Sequence, residues 1–258
     1  MQAHKIVTRN EWLQARKALL AREKEMTRQR DRLNEERHAL PWVEVDKTYA
    51  FETTAGRRTL AELFGDRSQL IVYHFMWRHD LDDGCIGCSF LADHIDGANL
   101  HLPHNDVSLV VVSRAPLAVL QAYRKRMGWR FEWVSSAGSD FNFDYHVSFT
   151  KDALATGKVT YNYATIDASI DELSGISTFF KDDNGDIFHT YSSYGRGNEE
   201  VLGAYMWLDL APKGRNENQG MMDWVRHHDR YDAAGTPDKA GGWRPAAKAD
   251  GSKPDCCP

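Results

Sequence analysis

Two cysteines, Cys85 and Cys88, lie two residues apart in the stretch GCIGC and are the strongest candidates for chemistry in this sequence. The spacing is typical of a redox dithiol, of half a zinc site, or of two thiols that only pack in a core. His101 and His104 follow at a spacing close to that of a zinc finger. They flank a Leu-Pro pair that belongs in a loop, and the cysteines lie inside a larger α/β pattern. Zinc is therefore the weaker interpretation.

The segment that precedes the cysteines favours the redox interpretation. QLIVYHFM has the apolar density of a strand buried on both faces, and Cys85 follows it where a helix begins. In open α/β sheets, sites lie beyond the carboxyl ends of the strands. A helix N-terminus stabilises a thiolate, while Asp82 and Asp83 oppose this effect if they face the sulfur, so the sequence leaves the balance open. Asp83 is also expected to cap the helix.

The order of the two cysteines predicts different roles for them. A second thiol one helical turn after the first can release a mixed disulfide that the first has formed. We therefore expect Cys85 to be the exposed, attacking thiolate and Cys88 to be the more buried, resolving thiol. The opposite hypothesis, two buried and inert thiols, is weaker for a CxxC pair at a strand-to-helix junction.

Other side chains are candidates for supporting roles. Trp77 and Arg78 precede the dithiol and are expected to line the substrate approach. Arg114 follows the apolar run VSLVVVS at the same predicted sheet edge, where it would stabilise a thiolate or a peroxide oxygen; a surface arginine before a helix is the alternative. Cys256 and Cys257 are adjacent near the chain end, where they would relay electrons or have no function.

The elements that must position these residues alternate between strands and helices. The strand QLIVYHFM, the helix after Cys85, the strand VSLVVVS and the amphipathic helix PLAVLQAYRKRMG occur in that order. Later, GISTFFKDDNGDIFHTYSSY reads as two strands joined by a turn at Asn184-Gly185. This alternation predicts an α/β sheet with parallel strands at its centre, flanked by helices.

A long helical arm is predicted at the N-terminus, over residues 8–40. It begins at a capping box from Thr8 to Glu11 and ends before Pro41. Apolar residues recur every seven positions on an otherwise charged helix, which is typical of a dimer seam or of a helix laid across its own domain. These residues are Trp12, Leu19, Met26, Leu33 and Leu40.

The remaining chain divides into one domain and a tail. Residues 41–231 are predicted to form the α/β domain, with an aromatic-rich insertion at about 137–165. Residues 232–258 are rich in Gly, Pro, Ala and Lys and are predicted to be flexible. The 258-residue chain carries a net charge of −5, so electrostatics give no reason to expect a nucleic-acid partner.

The cytoplasm is the expected location, because the sequence shows neither a secretory signal nor a membrane span. The first residues, MQAHKIVTRNEWLQARK, have no apolar core of a secretory signal. No apolar run approaches the ~18 residues that a membrane span requires. A close cysteine pair in a reducing compartment is more often catalytic or metal-binding than structural.

Several stretches of the chain resemble a known family. EWLQARKALLAREKEMTRQRDRL, LPWVEVDKTYAFET, GCIGCSF, YRKRMGWRFEWVSSAGSDFNFD, FHTYSSYGRG and WVRHHDRYD are similar to the domain of unknown function eight-nine-nine, whose members are described as thioredoxin-like predicted dithiol–disulfide oxidoreductases. The segment from FETTAGRR to GCIGCSFLADHI also resembles the opening of peroxiredoxins. The resemblance implies a thioredoxin-like sheet, a redox-active disulfide at Cys85 and Cys88, and no cofactor.

One departure from thioredoxins concerns the residue before their hairpin strand, which is a cis-proline there and Ser177 here. A cis bond before a non-proline residue costs roughly 2.5–4 kcal/mol, so the Ile176–Ser177 bond is predicted to be trans. Ser177 is then expected to offer its hydroxyl toward Cys85, as in peroxiredoxin-like folds.

Three functions follow as alternatives. Thiol–disulfide exchange at Cys85 and Cys88 is the first, a peroxiredoxin-like thiol peroxidase is the second, and a binding module with a zinc or structural cysteine pair is the third. For the first two, the partners would be a disulfide-bearing or peroxide substrate and a cellular thiol reductant. A homodimer is expected if the helical arm forms a seam.

Overall fold

The computed structural model describes residues 4–77, 83–232, 235–237 and 243–245. The chain divides into two compact units, Met1–Trp42 and Val43–Pro258. Among the residues that the structure describes, none of the helices combines the length and apolar character needed to cross a membrane.

The first unit contains one long helix, α1 (Arg9–His38). The Thr8 hydroxyl accepts the backbone N–H of Glu11, and the Glu11 carboxylate accepts the N–H of Thr8 at 2.9 Å, so the predicted capping box is confirmed. No residue of α1 is buried. The side chains that recur every seven residues, from Trp12 to Leu40, are 44–66% exposed.

The second unit contains an eight-stranded sheet and two separate two-stranded ladders. In the large sheet the strand order is β1-β10-β9-β4-β5-β6-β2-β3, and only the pairs β4–β5 and β5–β6 are parallel. The strands are β1 (Val43–Glu44), β2 (Ala50–Thr53), β3 (Gly56–Thr59), β4 (Gln69–His74), β5 (Val107–Ser113), β6 (Glu132–Ser135), β7 (Lys158–Tyr161), β8 (Ala164–Asp167), β9 (Gly175–Lys181), β10 (Ile187–Tyr194), β11 (Gly235–Pro237) and β12 (Trp243–Pro245).

In the part of the chain that the structure describes, seven short α-helices accompany these strands. They are α2 (Leu60–Leu63), α3 (Ile86–Ala92), α4 (Ile95–Ala98), α5 (Leu117–Arg126), α6 (Phe141–Asp144), α7 (Lys151–Ala155) and α8 (Gly203–Leu210). Three 3-10 turns cover Leu102–Asn105, Gly195–Val201 and His228–Arg230. The segment after β10 begins as the 3-10 turn Gly195–Val201 and becomes α-helical at Gly203.

The architecture confirms the predicted thioredoxin-like α/β fold. Three parallel strands, β4, β5 and β6, lie side by side, and the antiparallel hairpin β9–β10 continues the sheet beyond β4. The predicted turn at Asn184-Gly185 is confirmed, because Gly185 adopts a φ of 91° and the Asp182 carboxylate accepts the N–H of Asn184 at 2.9 Å. Helix α3, which follows β4, carries the cysteine pair at its start.

The two faces of the sheet contribute to different cores. Successive side chains of a strand point to opposite faces. On β4, Tyr73 therefore packs in the cluster that holds both cysteines, with Phe75 beyond the strand end in the same cluster. Leu70 and Val72 pack in the second cluster on the other face. Which face a β4 or β9 residue occupies thus decides whether it can approach the dithiol.

The aromatic-rich region at about 137–165 contains α6, α7, β7 and the start of β8. Phe141, Tyr145 and Phe149 are buried there. Within residues 232–258, the backbone of β11 pairs antiparallel with β12. Most other positions of this tail, including Cys256 and Cys257, lie outside the described residues, and its predicted flexibility stays a prediction.

Candidate functional site

The start of α3 is built around Cys85. Cys85 is the N-cap residue, and its sulfur accepts the backbone N–H of Cys88 at 3.3 Å. Its carbonyl accepts both the N–H and the hydroxyl of Ser89, each at 2.8 Å. The expectation that Asp83 caps this helix is wrong, because the first cysteine takes that position itself.

Both sulfur-bearing side chains are buried. Cys85 is 5% exposed and Cys88 is 4% exposed, so the expectation that Cys85 is exposed is wrong. Cys85 lies in a core cluster with Phe75, Trp77 and Tyr123, and residues far along the chain also pack against the start of α3. His227, itself fully buried, has its Nε2 2.8 Å from the carbonyl oxygen of Gly84. The position of a strand end in the sequence could not reveal this cover.

Gly84 allows the close packing that precedes the dithiol. A Cβ at this position would lie 2.9 Å from the Tyr123 ring and 3.0 Å from the Phe75 ring. Any side chain would therefore push Cys85 away from the aromatic core beneath it. The Tyr123 hydroxyl lies 2.9 Å from the Ser89 hydroxyl, which ties this ring to the first turn of α3.

Cys88 lies in surroundings that favour its protonated form. Burial raises the pKa of the Cys88 thiol well above its ordinary value, and the neighbouring Cys85 raises it further. Hydrogen bonds from Tyr73 and from the backbone N–H of Met76 act in the opposite direction but are smaller effects. Cys88 therefore keeps its proton at neutral pH until an acceptor takes it.

Asp83 forms ion pairs instead of capping a helix. Its two carboxylate oxygens contact Arg126 and Arg230, and Arg126 also donates to Asp229 at 2.8 Å. Residues close to the chain's C-terminal end thereby hold the loop that leads into Cys85. The Asp83 carboxylate is paired with Arg126 and Arg230. A direct role of Asp83 beside the Cys85 sulfur stays a prediction.

Glu172 is a site residue that sequence reasoning missed. It is 1% exposed, and its Oε2 accepts the backbone N–H of Trp77 at 2.7 Å. Burial raises its pKa to about 8, while the hydrogen bond from Trp77 and the charge of Arg114 lower it and the charge of Cys88 raises it. A lone glutamate in the polar stretch IDELSG gives no pattern that could have identified it.

Arg114 and Trp77 both lie close to Glu172. The structure therefore brings two of the predicted supporting residues together. The Arg114 guanidinium is 3.6 Å from Glu172 Oε1, too long for a hydrogen bond, and it lies 4.4 Å from the centroid of the Phe143 ring. The indole of Trp77 is 8% exposed and packs edge-on against Tyr123. Its substrate-facing role stays a prediction. Arg78 lies outside the described residues.

Ser177 points away from the cysteines. It pairs with Val72 across the β4–β9 ladder, and its hydroxyl contacts His74 Nε2 at 3.0 Å and the Ser192 hydroxyl at 2.8 Å. The expectation that it faces Cys85 is wrong, because alternate residues of β9 face opposite sides. Ile176, which pairs with Tyr73, occupies the cysteine side. The described residues contain no cis peptide bond, so the predicted trans bond before Ser177 is confirmed.

The described part of the chain contains no cluster of three or more His, Cys, Asp or Glu side chains that could hold a metal ion. His101 and His104, which suggested a zinc finger, therefore do not join the two cysteines in such a group.

Solved structures similar to this chain include peroxiredoxins. Xanthomonas campestris peroxiredoxin Q is 12% identical, with a TM-score of 0.42 over 60% of this chain and 87% of that chain. Peroxidoxin BcpB from Mycobacterium tuberculosis is 13% identical, with a TM-score of 0.39 over 63% and 93%. The mitochondrial 2-Cys peroxiredoxin from Plasmodium falciparum is 12% identical, with a TM-score of 0.37 over 69% and 96%. These likenesses are too distant to bear on function.

The remaining comparisons concern sequence. None of the curated proteins matches this chain. The family described as bacterial protein of unknown function (DUF899) matches residues 1–231. This match covers the helical arm, the sheet and the dithiol, and the chain belongs to that family.

Proposed function

We propose that this protein is a thiol–disulfide oxidoreductase in which Cys85 attacks and Cys88 resolves. The observation that carries the proposal is the placement of the two cysteines one turn apart at the start of α3, with the Cys88 N–H directed at the Cys85 sulfur. A backbone N–H directed at a sulfur stabilises its thiolate form. Cys88, whose pKa is raised by burial, holds its proton until the second step.

The exchange proceeds in two steps that balance. The Cys85 thiolate attacks one sulfur of a substrate disulfide, forms a mixed disulfide and releases the first substrate thiolate. Cys88 then loses its proton and attacks the Cys85 sulfur, which releases the second substrate thiolate. The substrate disulfide is reduced, the dithiol becomes a disulfide, and a cellular thiol reductant restores it.

Glu172 is the candidate acceptor for the Cys88 proton. The pKa of its carboxyl responds to charge on Cys88, so the two groups are electrostatically linked. Its Oε1 is buried without a hydrogen-bond partner, which leaves a lone pair free for a proton. Because burial raises the pKa of this carboxyl to about 8, most of it is protonated at neutral pH, and only its ionised fraction, which grows as the pH approaches 8, can accept the Cys88 proton.

Trapping with an aromatic disulfide tests the assignment of the two cysteines. Full-length Cys88→Ser should complete the first step and remain as a mixed disulfide on Cys85, whereas Cys85→Ser should form no adduct at residue 88. Peptide mapping by mass spectrometry separates these adducts from any on Cys256 or Cys257. An adduct on Cys88 alone would reverse the assignment.

Two further outcomes would replace the proposed function. If Cys85 of the Cys88→Ser variant reacts with hydrogen peroxide to form a sulfenic acid but with no disulfide, the protein is a thiol peroxidase. If neither cysteine reacts with either reagent, the pair is structural. Metal analysis of the same sample, with stoichiometric zinc as the contrary result, tests the binding-module alternative.

A further inference from the structure

Residues 217–230, which we call the strap, cover the start of α3 and are fixed at both ends. At one end, Glu217 Oε1 accepts the hydroxyl of Tyr205 and the backbone N–H of Met222, the latter at 2.8 Å. At the other end, His227 contacts the carbonyl of Gly84. The strap is therefore a built part of the fold that lies against the dithiol helix.

The middle of the strap packs closely against that helix. Val225 is fully buried, and the Trp224 ring lies edge-on to Phe90 of α3, with 5.8 Å between centroids. With Cys85 and Cys88 each about 95% buried, a substrate must displace some covering group before it reaches either sulfur.

Met222 is the strap residue that lies over the turn between the two cysteines. A Cβ placed on Gly87 would lie 3.2 Å from the Met222 sulfur, closer than ordinary contacts. Met222 adopts a φ of 62°, a left-handed conformation that is unfavourable for a residue with a side chain. Such conformations persist where the surrounding structure enforces them, and they concentrate at functional sites. Here the Met222 N–H donates to Glu217 Oε1 at 2.8 Å.

We propose that Met222 and the strap restrict the dithiol to low-molecular-weight disulfides and exclude the disulfides of folded proteins. This inference rests on the proposed thiol–disulfide exchange. Attack on a disulfide needs the attacking sulfur and both substrate sulfurs nearly in line, so the leaving half must also fit beside Cys85. A small disulfide needs only the unbranched, flexible Met222 side chain to move. A folded protein would bring its own surface against the whole strap.

The test compares two disulfides of different size on the same dithiol. The background is the full chain with Cys256→Ser and Cys257→Ser, so that only Cys85 and Cys88 react. Oxidation of this pair is followed with bis(2-hydroxyethyl) disulfide and with insulin, and each rate is divided by that of dithiothreitol with the same disulfide. The corrected rate should be about a hundredfold lower for insulin, as expected when productive geometry is blocked.

Two variants of the strap distinguish a change in substrate selectivity from a general loss of structure. Met222→Gly removes the side chain and suits the left-handed backbone, so it should keep the fold and raise the insulin rate roughly tenfold more than the small-disulfide rate. Met221→Ala is the matched control, because Met221 is its neighbour but is 57% exposed. This variant should leave the ratio unchanged.

The outcomes distinguish this inference from the function on which it rests. Equal corrected rates for the two disulfides in the background protein, or a ratio that Met222→Gly leaves unchanged, would overturn the restriction while preserving the exchange activity. No reaction with either disulfide in any variant would overturn the proposed function, and the restriction with it.

Discussion

At the scale of single residues, Glu172 has a consequence for stability that is independent of catalysis. Its carboxyl is protonated in the folded protein up to about pH 8, whereas in the unfolded chain it ionises near its ordinary value of 4.5. Between these two values the unfolded state has lost a proton that the folded state retains. The free energy of unfolding therefore falls as the pH rises through this window, by up to about 1.4 kcal/mol per pH unit.

Glu172→Gln should remove this dependence, because the amide cannot ionise but its oxygen can still accept the Trp77 N–H. Chemical denaturation at pH 8 should give a higher free energy of unfolding for the variant than for the original protein. At pH 5 the difference between the two should be smaller. Glu52→Gln, at an exposed position of β2, is the matched control. Identical pH dependence in Glu172→Gln and the original protein would mean that Glu172 is ionised when folded.

Site residues could be predicted from the sequence where their chemistry depends on spacing along the chain. They could not be predicted where their chemistry depends on burial. The CxxC spacing located Cys85 and Cys88 without a structure. The raised pKa of Glu172 comes from desolvation by groups distant in sequence, which no local pattern encodes. Ser177 was assigned to the wrong side because the face of a strand residue follows from its pairing register with β4, known only after folding.

At the scale of elements, the boundaries of α1 were predictable because its signals are local. Thr8 and Glu11 mark its start, and the helix ends at His38, three residues before Pro41. The apolar runs of β4 and β5 likewise identified buried strands. The strap was not predictable, because residues 217–230 show neither helical nor strand periodicity, and their contacts with the start of α3, such as that of His227 with Gly84, join residues more than a hundred positions apart.

The seven-residue repeat on α1 predicts self-association of the full chain. Met26 and Leu33 are 66% and 50% exposed, and a stripe of such residues is buried most readily against the same stripe of a second copy. Light scattering should give a dimer for the original chain and a monomer for Met26→Glu with Leu33→Glu. Lys24→Glu, a charge change off the stripe, is the control and should remain dimeric. Equal masses for all three chains would rule out this seam.

At the scale of the whole molecule, the burial of the dithiol leads to a prediction about the two cysteines of the C-terminal tail. If Cys256 and Cys257 carry electrons, they would serve disulfides too large to pass the strap. Replacing both by serine should therefore slow turnover with a protein disulfide and leave turnover with glutathione disulfide unchanged. Rates measured with a common thiol reductant would decide. Equal slowing on both substrates, or none on either, would leave the tail without this role.

The aromatic packing beside the cysteines also places the dithiol among tryptophan side chains whose fluorescence and circular dichroism can be measured. Trp77, Trp129 and Trp133 lie in the same cluster as both sulfurs, with the Trp129 and Trp133 centroids 5.7 Å apart. Disulfides quench indole emission at short range, and coupled indoles give strong near-ultraviolet circular dichroism. Under the proposed exchange, conversion between dithiol and disulfide would take place among these chromophores. We therefore expect the intrinsic tryptophan signals to report the oxidation state of Cys85 and Cys88 without an attached dye.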